Sequence, residues 1–401
     1  MSRHNLRLAA TAALVALVPL AGCTPSSTST PLASSPAGAT SLIVRLGNDT
    51  LALERYTRTA TRMEGVLLQR SPFTTLSHYH IEMGPGNVPT RAEYTLRRGD
   101  GSPITGAMQS LSVRYGIDSV TFTAHRASGD SSRTAAASGV LLPYVNGSYG
   151  LFELAIARLR SMGRDSIQFG IVPLNFNVRG STPLAVKLTS GDAARIDWFG
   201  YPLFARFDSR ARLLGLDGTQ STIKVRVDRV AAANLDSIGA AWTARDQASG
   251  PTGQVSTRDT ARATIGAAHV WIDYGRPALR GRNVWASGVL GDTLWRTGAN
   301  AATQLGTDAD ILIGGTVVPA GTYSLWTSTS GDGYHLVVNK QHGQWGTEYH
   351  PAQDLARVPL RESSVAPAVE RFTIALAPQG DATVLNLAWG TKQLSVPITA
   401  K

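Results

Sequence analysis

Residues 42–58, LIVRLGNDTLALERYTR, decide the fold class of the N-terminal half of this chain. Apolar side chains recur at every second position before and after the central turn, which is the period of a β-strand with one buried face. The turn itself is Gly47, Asn48 and Asp49, and such residues accept the positive φ angles that tight hairpins need. The stretch therefore predicts an antiparallel β-hairpin.

The same alternation continues along the chain as far as residue 230, with turn residues between the segments. Each segment is short and has one apolar face, as strands of an antiparallel sheet do. The further predicted strands are Met63–Arg70, Thr75–Met83, Arg91–Arg97, Ser110–Arg114, Ser119–His125, Ser166–Val172, Ala185–Leu188, Arg195–Phe199, Leu203–Phe207 and Thr222–Val230.

One helix is predicted in this half, over Leu151–Ser161. Leu154, Ala155 and Leu159 recur near the helical spacing of 3.6 residues, and Gly163 is placed to cap the C-terminal end. We therefore predict a mainly β fold in which residues 41–244 form an antiparallel meander, as an open barrel or a clam-like sheet, with one helix.

A polar segment rich in Gly, Ser and Thr, residues 245–266, predicts a linker between two domains. From residue 267 to residue 401, short alternating strands are separated by turns such as Gly314-Gly315 and Pro319-Ala320-Gly321. About seven such strands at regular spacing are typical of a β-sandwich.

The N-terminus has the pattern of a bacterial lipoprotein signal. Two arginines precede an apolar stretch from Leu8 to Leu20, and small residues then lead to Cys23, the single cysteine of the chain. The pattern predicts a cleaved signal peptide over 1–22 and a lipid, including palmitate, on Cys23. Residues 23–40 are uncharged and rich in Ser, Thr and Pro, which predicts a flexible spacer. The expected location is the cell envelope, at the outer membrane on its periplasmic or surface side.

The formal net charge is +10, but only five of the basic residues are lysines. No basic run is interleaved with aromatic residues, so we do not expect nucleic acid as a partner. The chain also lacks H-E-x-x-H, the phosphate-binding G-x-x-x-x-G-K-[ST] and G-x-G-x-x-G. We therefore predict no cofactor, and the membrane is the expected partner, reached through the lipid anchor.

A pair of histidines raises the question of a metal site. His78 and His80 lie two residues apart on a predicted strand and share a face with Glu82, a combination able to bind zinc. The opposite face, with Tyr79, Ile81 and Met83, is the better core face. The histidines are then expected to face solvent, and no metal site is predicted.

The densest group of potential ligand contacts lies between residues 273 and 300. Four arginines and two tryptophans occur there, and guanidinium groups beside indole rings suit an anionic or sugar-like ligand. The alternative is that the arginines only hold loops against the fold through carboxylates and carbonyl groups. The candidate ligand-binding residues are Arg276, Arg280, Arg282, Trp295, Arg296 and Asn300.

Five motifs in the C-terminal half occur in a fixed order: DYGRPALRGR, WRTGANAAT, IGGTVVPAGTYSLW, VVNK and QWGTEY. Together they resemble an uncharacterised bacterial family, domain of unknown function 2911. The resemblance covers residues 267–375, and at its widest it extends to the C-terminus. It implies a secreted or envelope protein and no particular activity.

Three functions are compatible with these features. The first is a non-enzymatic binding or carrier module for an amphipathic, anionic or glycan ligand. The second is an envelope hydrolase in which the arginines stabilise negative charge and Asp273 or His350 acts as the base. The third is a structural protein of envelope assembly with no small ligand.

Overall fold

The computed structural model describes residues 38–106, 108–175, 180–198, 201–221, 223–286, 294–331, 333–380 and 382–401. These residues belong to one compact unit, Ser35–Lys401. Strands account for 60% and helices for 9%, which confirms the prediction of a mainly β fold. The predicted signal peptide and Cys23 lie outside the described residues. In the part that is described, no helix is long and apolar enough to cross a membrane.

The N-terminal half forms one sheet of fifteen strands. They are β1 (Thr40–Leu46), β2 (Asp49–Arg58), β3 (Arg62–Gln69), β4 (Thr75–Gly84), β5 (Val88–Arg98), β6 (Ser110–Tyr115), β7 (Ser119–His125), β8 (Ser131–Ala136), β9 (Val140–Tyr144), β10 (Ser166–Pro173), β11 (Thr182–Leu188), β12 (Ala193–Trp198), β13 (Tyr201–Phe207), β14 (Leu213–Asp217) and β15 (Arg226–Val230). The order across the sheet is β8 to β1 and then β15 to β9, so β8 and β9 are its open edges.

The predicted first hairpin is present as β1 and β2. Leu46 pairs with Asp49 across a turn in which Gly47 has a φ of +60°. The side chains of Leu42 and Val44 are buried in the core. All other pairs in this sheet are antiparallel except β9 with β10, which run parallel. A parallel pair cannot be joined by a tight turn, and a helix makes this connection.

That helix is α1, Phe152–Ser161, within one residue of the prediction. Leu154, Ile156 and Leu159 are at most 1% exposed. They belong to a single core cluster together with residues from both halves of the sheet. The sheet therefore curves round α1 without closing into a barrel, as the open architecture predicted.

A second helix, α2 (Leu235–Ser249), was not predicted. Its apolar side is narrow, since Leu235 is its one fully buried large side chain, with Ile238 and Trp242 packed beside it. With so few apolar residues on one side, the sequence of α2 has no clear helical periodicity, and the helix was not predicted for this reason. A usable signal was present in Asn234, whose side chain accepts a hydrogen bond from the backbone N–H of Ser237 at 3.1 Å as a helix N-cap does.

The predicted linker over 245–266 is wrong for most of its length. Its first residues continue α2, and its last ten form strand β16 (Ser256–Ile265). Nearly all side chains of β16 are exposed or half-buried. The polar composition of this segment therefore reflects its exposure to solvent and not a lack of regular structure. Only residues 250–255 connect the two elements without regular structure.

The C-terminal half forms a second sheet of ten strands. After β16 they are β17 (Ala268–Pro277), β18 (Leu294–Trp295), β19 (Thr303–Thr307), β20 (Ile311–Ile313), β21 (Thr316–Val318), β22 (Gly321–Ser330), β23 (Gly333–Asn339), β24 (Asp354–Gln379) and β25 (Ala382–Ala400). The order is β16-β17-β19-β22-β23-β24-β25-β20-β21, with β18 paired to β22.

This second sheet folds over on itself. Tyr274 on β17 contacts Phe372 on β24 edge to face, with ring centroids 5.8 Å apart. The Tyr274 hydroxyl also donates a hydrogen bond to the carbonyl oxygen of Ile374 at 3.3 Å. Since β17 and β24 face each other without pairing, the sheet encloses a core between two layers, as the sandwich prediction required.

The turn of the first hairpin contacts the second sheet. The backbone N–H of Asn48 donates to the carbonyl oxygen of Arg280 at 2.9 Å. The guanidinium of Arg280 forms an ion pair with Asp49, and its side chain is only 13% exposed. A Cβ added to Gly47 would overlap the carbonyl oxygen of Arg280. The stretch that defines the first sheet thus also holds the arginine-rich segment.

Candidate ligand-binding site

A cavity of about 1060 Å³ lies between the two sheets. Residues of β1, β2, β9–β13 and α1 line one side, and the arginine-rich segment with parts of β22 and β25 lines the other. Ligand pockets for small molecules usually measure roughly 300–1,000 Å³. This cavity is therefore large enough for a ligand with a long apolar part.

The wall formed by the first sheet is aromatic. Trp198 contacts Tyr144 and Phe152 edge to face, with ring centroids 4.7 and 5.8 Å apart. Tyr149 packs against Phe152 in the same way at 6.0 Å. Leu51 and other aliphatic side chains complete this wall. These edge-to-face contacts fix the positions of the rings relative to one another.

The opposite wall contains four tryptophans, Trp295, Trp326, Trp345 and Trp389. Trp295 stacks on Trp389 with centroids 5.6 Å apart, and its indole N–H donates to the carbonyl oxygen of Gly298 at 3.0 Å. Trp326 and Trp389 are almost fully buried, whereas Trp345 is 52% exposed. Trp345 is thus a lining residue that also reaches solvent.

Three cations line the cavity: Lys224, Arg282 and Arg296. Lys224 lies between β14 and β15 of the first sheet, and the two arginines come from the second. Among the lining residues that the structure describes there is no Asp or Glu. The described lining of the cavity thus combines apolar walls with three basic side chains.

The pKa of Lys224 shows that these charges act on one another. Burial, followed by the positive charges of Arg282 and Arg296, lowers this pKa from its ordinary value of 10.5 to about 8. Burial also lowers the pKa of Arg282, and the neighbouring Arg280 adds to this effect, whereas the negative charge of Glu370 opposes it. Perturbed groups that converge in a cleft are typical of functional sites.

The guanidinium of Arg282 is held by backbone carbonyl groups. Its Nε donates to Leu279 at 2.9 Å and its Nη2 to Ala278 at 2.6 Å. Arg282 forms no ion pair with any described residue. Arg296 donates from Nη1 to the carbonyl oxygen of Asn300 at 2.9 Å and packs against Gly346. Backbone carbonyl groups therefore hold both donors of Arg282 described above and one donor of Arg296.

Two of the predicted ligand contacts have other roles. Arg276 lies outside the cavity, where it pairs with Asp259 at 3.0 Å and donates to the carbonyl oxygen of Phe372 at 3.2 Å. It joins β16, β17 and β24. Arg280 holds Asp49, as described above. Asn300 lines the cavity, but the contacts that involve it are made by its carbonyl oxygen, which also accepts from the backbone N–H of Gly346 at 3.0 Å.

The candidate catalytic residues of the hydrolase hypothesis are not brought together. Asp273 forms an ion pair with Arg258 at 2.6 Å, and both side chains are about one third exposed. His350 is exposed, and its carbonyl oxygen accepts from the side chain of Asn339 at 2.9 Å. Neither Asp273 nor His350 lines the cavity. Neither residue is therefore placed to act as a base beside the arginines that line the cavity.

The two histidines of β4 lie on the face opposite to the core, as predicted. On β4 the side chains of Tyr79, Ile81 and Met83 are buried, whereas His78 is exposed and His80 half-buried. His80 lies 3.7 Å from Glu64 and 3.8 Å from Glu82. Within the described part of the chain, no group of three or more His, Cys, Asp or Glu side chains is arranged to bind a metal ion.

A buried carboxylate supports the first wall from behind. Glu54 on β2 is fully buried, and its Oε2 accepts the backbone N–H groups of Tyr149 and Gly150, each at 2.9 Å. Its Oε1 accepts the hydroxyls of Tyr79 and Ser148, the former at 2.7 Å. Burial raises the pKa of Glu54 despite these four donors. Glu54 thereby fixes the loop that carries Tyr149 and begins α1.

Sequence reasoning missed Lys224 and Trp198. Trp198 lies on β12 and Lys224 lies in the loop before β15, both far from the arginine-rich segment along the chain. Lys224 did carry a signal, since it is a rare lysine in an arginine-rich chain and stands between the apolar residues Ile223 and Val225. Only the tertiary structure shows that Lys224 and Arg282 line the same cavity.

Comparison with known proteins gives few relatives. No curated protein sequence is significantly similar to this chain. Among solved structures, a crystal structure of a DUF1089 family protein from Pseudomonas aeruginosa is similar at 12% identity, with a TM-score of 0.33, over 41% of this chain and 89% of that chain. Residues 256–398 match the family described as "Protein of unknown function (DUF2911)", which confirms the predicted resemblance of the C-terminal part of this chain to that family.

Proposed function

We propose that this protein is a ligand-binding or carrier protein of the bacterial cell envelope, which encloses an amphipathic molecule between its two sheets. The observation that carries the proposal is the cavity of about 1060 Å³, with aromatic walls from both sheets and three cations. Apolar walls with a few placed polar groups are the usual composition of a small-molecule site.

A lipid anchor on Cys23 completes the proposal. The basic, apolar and small-residue segments before this single cysteine support it, and so does the uncharged spacer that follows. A tether of this kind would keep the cavity beside a membrane, where amphipathic molecules are abundant. The expected location is the outer membrane, on its periplasmic or surface side.

Binding to Ser35–Lys401 tests the proposal, because this range is one compact unit. The reporter is N-phenyl-1-naphthylamine, whose fluorescence rises in apolar surroundings, and decanol serves as competitor. Leu51 lines the cavity and is half-buried. Leu51→Asp introduces a charge into the apolar wall and is expected to weaken reporter binding about tenfold or more.

Leu214→Asp is the matched control. Leu214 also lies on a strand of the first sheet, is 37% exposed and does not line the cavity. We expect this variant to bind the reporter as the parent does. If the parent binds no reporter, or if both variants lose binding equally, the cavity is not a site for apolar chains and the proposal fails.

A further inference from the structure

Resting on the proposed function, we infer that the ligand carries an uncharged sugar head group, bound on the wall formed by the first sheet by Gln69, Tyr144, Asn146 and Tyr149. These four residues, which we call the amide–hydroxyl patch, all line the cavity. The inference names a class of ligand, the uncharged alkyl glycosides and glycolipids. It also places the head group in a part of the chain outside the range matched by the family.

The first step is the proximity of the patch residues. The Tyr144 hydroxyl donates to Oδ1 of Asn146 and accepts the backbone N–H of Gly147, both at 3.3 Å. The side-chain amide of Gln69 lies against Gly147, since a Cβ added to this glycine would overlap the Nε2 of Gln69. Gly147 also has a φ of +88°, which favours glycine there. Two amides and a phenol hydroxyl are thus gathered around one glycine.

The second step is the support of the patch. The ring of Tyr144, at the end of β9, contacts Trp198 with centroids 4.7 Å apart. The ring of Tyr149 packs against Phe152 at 6.0 Å, and the backbone N–H of Tyr149 donates to Glu54 at 2.9 Å. These contacts fix the loop between β9 and α1, and therefore fix where the patch presents its donors and acceptors.

The third step is the choice of hydroxyl groups as the partners of the patch. An amide side chain offers N–H donors beside a carbonyl acceptor, and a hydroxyl both donates and accepts. Neighbouring hydroxyls of a sugar also donate and accept, so one amide can bind two of them at once. Ionised carboxylate and phosphate groups only accept. Such a head group would give the carbonyl oxygens of Gln69 and Asn146 no donor, and unmatched polar groups weaken binding.

The fourth step concerns the aromatic rings beside these polar groups. A sugar ring has C–H groups on its two faces and hydroxyls around its edge. The rings of Tyr144 and Tyr149 offer apolar surface to such a face, while the amides of Gln69 and Asn146 can bind the edge. A simple alcohol has one hydroxyl and no such ring, so it would use only a small part of the patch.

The fifth step is the direction in which the lining changes. Asn146 is exposed, whereas Phe152 and Ile171, which also line the cavity, are almost fully buried. Leu51 adds a further aliphatic side chain to the same wall. A ligand with its sugar at the amide–hydroxyl patch can therefore extend an apolar chain along buried side chains, where burial of that chain favours binding.

The test compares four probes on Ser35–Lys401: decyl glucoside, decanol, decyl phosphate and glucose. Affinities are measured by displacement of N-phenyl-1-naphthylamine, at concentrations too low for micelles to form. We expect decyl glucoside to bind about tenfold or more tightly than decanol, because each added hydrogen bond contributes a factor of about five. It should also bind more tightly than decyl phosphate. Glucose at the same concentration is expected not to compete, since it has no apolar chain.

Gln69→Leu and Tyr149→Phe are each expected to reduce the preference for decyl glucoside over decanol about fivefold while leaving decanol affinity unchanged. Unchanged decanol affinity shows that a variant is folded. Tyr149→Phe removes a single hydroxyl and keeps the test decisive if Gln69→Leu does not fold. The control is Gln168→Leu, which replaces an exposed glutamine on β10 that does not line the cavity. It should retain the full preference.

Each other result has a definite meaning. Equal affinity for decyl glucoside and decanol overturns the head-group inference and leaves the proposed carrier function standing. Tighter binding of decyl phosphate than of decyl glucoside overturns the choice of an uncharged head group. A preference for decyl glucoside that survives in both variants overturns the assignment to the amide–hydroxyl patch. Competition by glucose as strong as that by decyl glucoside overturns the assignment to an amphiphile. Failure of decanol and decyl glucoside to bind at all rejects the proposed function itself.

Discussion

Removing the charge of Lys224 should stabilise the ligand-free protein. The pKa of Lys224 is lowered from 10.5 to about 8, first by burial and then by Arg282 and Arg296. At about 1.4 kcal/mol for each tenfold change in proton affinity, this difference corresponds to about 3 kcal/mol. The side chain still reaches solvent in part, so screening reduces the cost to about 1–2 kcal/mol. We expect Lys224→Met to raise the free energy of unfolding at pH 7 by that amount.

The sign of the pH dependence follows from linkage. Below pH 8, Lys224 is charged in both the folded and the unfolded protein, so its full cost is present. Between about pH 8 and 10.5, the folded protein releases this proton while the unfolded chain still binds it, and stability therefore rises with pH. Above 10.5 the cost has disappeared. The advantage of Lys224→Met over the parent should be largest at pH 7 and absent near pH 10.5.

Urea unfolding of the parent and the variant at pH 7, 9 and 10.5 measures this advantage. Lys187→Met is the control, because Lys187 is exposed on β11. We expect no more than a few tenths of a kcal/mol from it at any of these pH values. Two results would refute the reasoning: no advantage of Lys224→Met at pH 7, or an advantage that persists unchanged at pH 10.5, which would indicate packing rather than charge.

Two further predictions concern the supports of the cavity. Gly47→Ala should lower the free energy of unfolding by about 2–3 kcal/mol, because the residue has a φ of +60° and its Cβ would overlap the carbonyl oxygen of Arg280. Gly163→Ala, at a φ of +62° with no atom nearby, should lose only about 1 kcal/mol, and equal losses in denaturant would contradict a rigid contact between the sheets. Glu54→Leu leaves four buried donors without an acceptor and should cost about 3–5 kcal/mol or prevent folding. Glu54→Gln should cost about 1 kcal/mol or less, since its oxygen can accept the two backbone N–H groups while the hydroxyls of Tyr79 and Ser148 turn to accept from its amide; an equally large loss for both variants in urea unfolding would reject this account.

Local patterns predicted the strands and α1 well, for a physical reason. The faces of β4 and the hairpin of β1 and β2 depend on alternation and on turn residues, which are local properties of the chain. Helix α2 escaped notice because its burial depends on one large residue, Leu235, against the outer face of the first sheet. The exposed strand β16 escaped notice because it has little apolar surface to mark it.

The residues of the candidate site were also predictable only in part. Arg282, Trp295 and Arg296 were evident as chemistry-bearing residues, because they lie close together along the chain. Arg276 and Arg280 have a different role, because they bind a carbonyl or carboxylate group elsewhere in the fold. Spacing in sequence does not contain that information, since all four arginines carry the same group on the same flexible stem.

By itself, the sequence determined a mainly β chain, the hairpin that begins it, the helix α1 and the family resemblance of its C-terminal part, because periodicity and motifs are local. Only the tertiary structure decided that the two sheets enclose a cavity and that Lys224 meets Arg282 and Arg296 there. Those residues are brought together by the curvature of one sheet and the folding of the other. Contacts of this kind depend on packing across the whole molecule, and no short stretch of sequence records them.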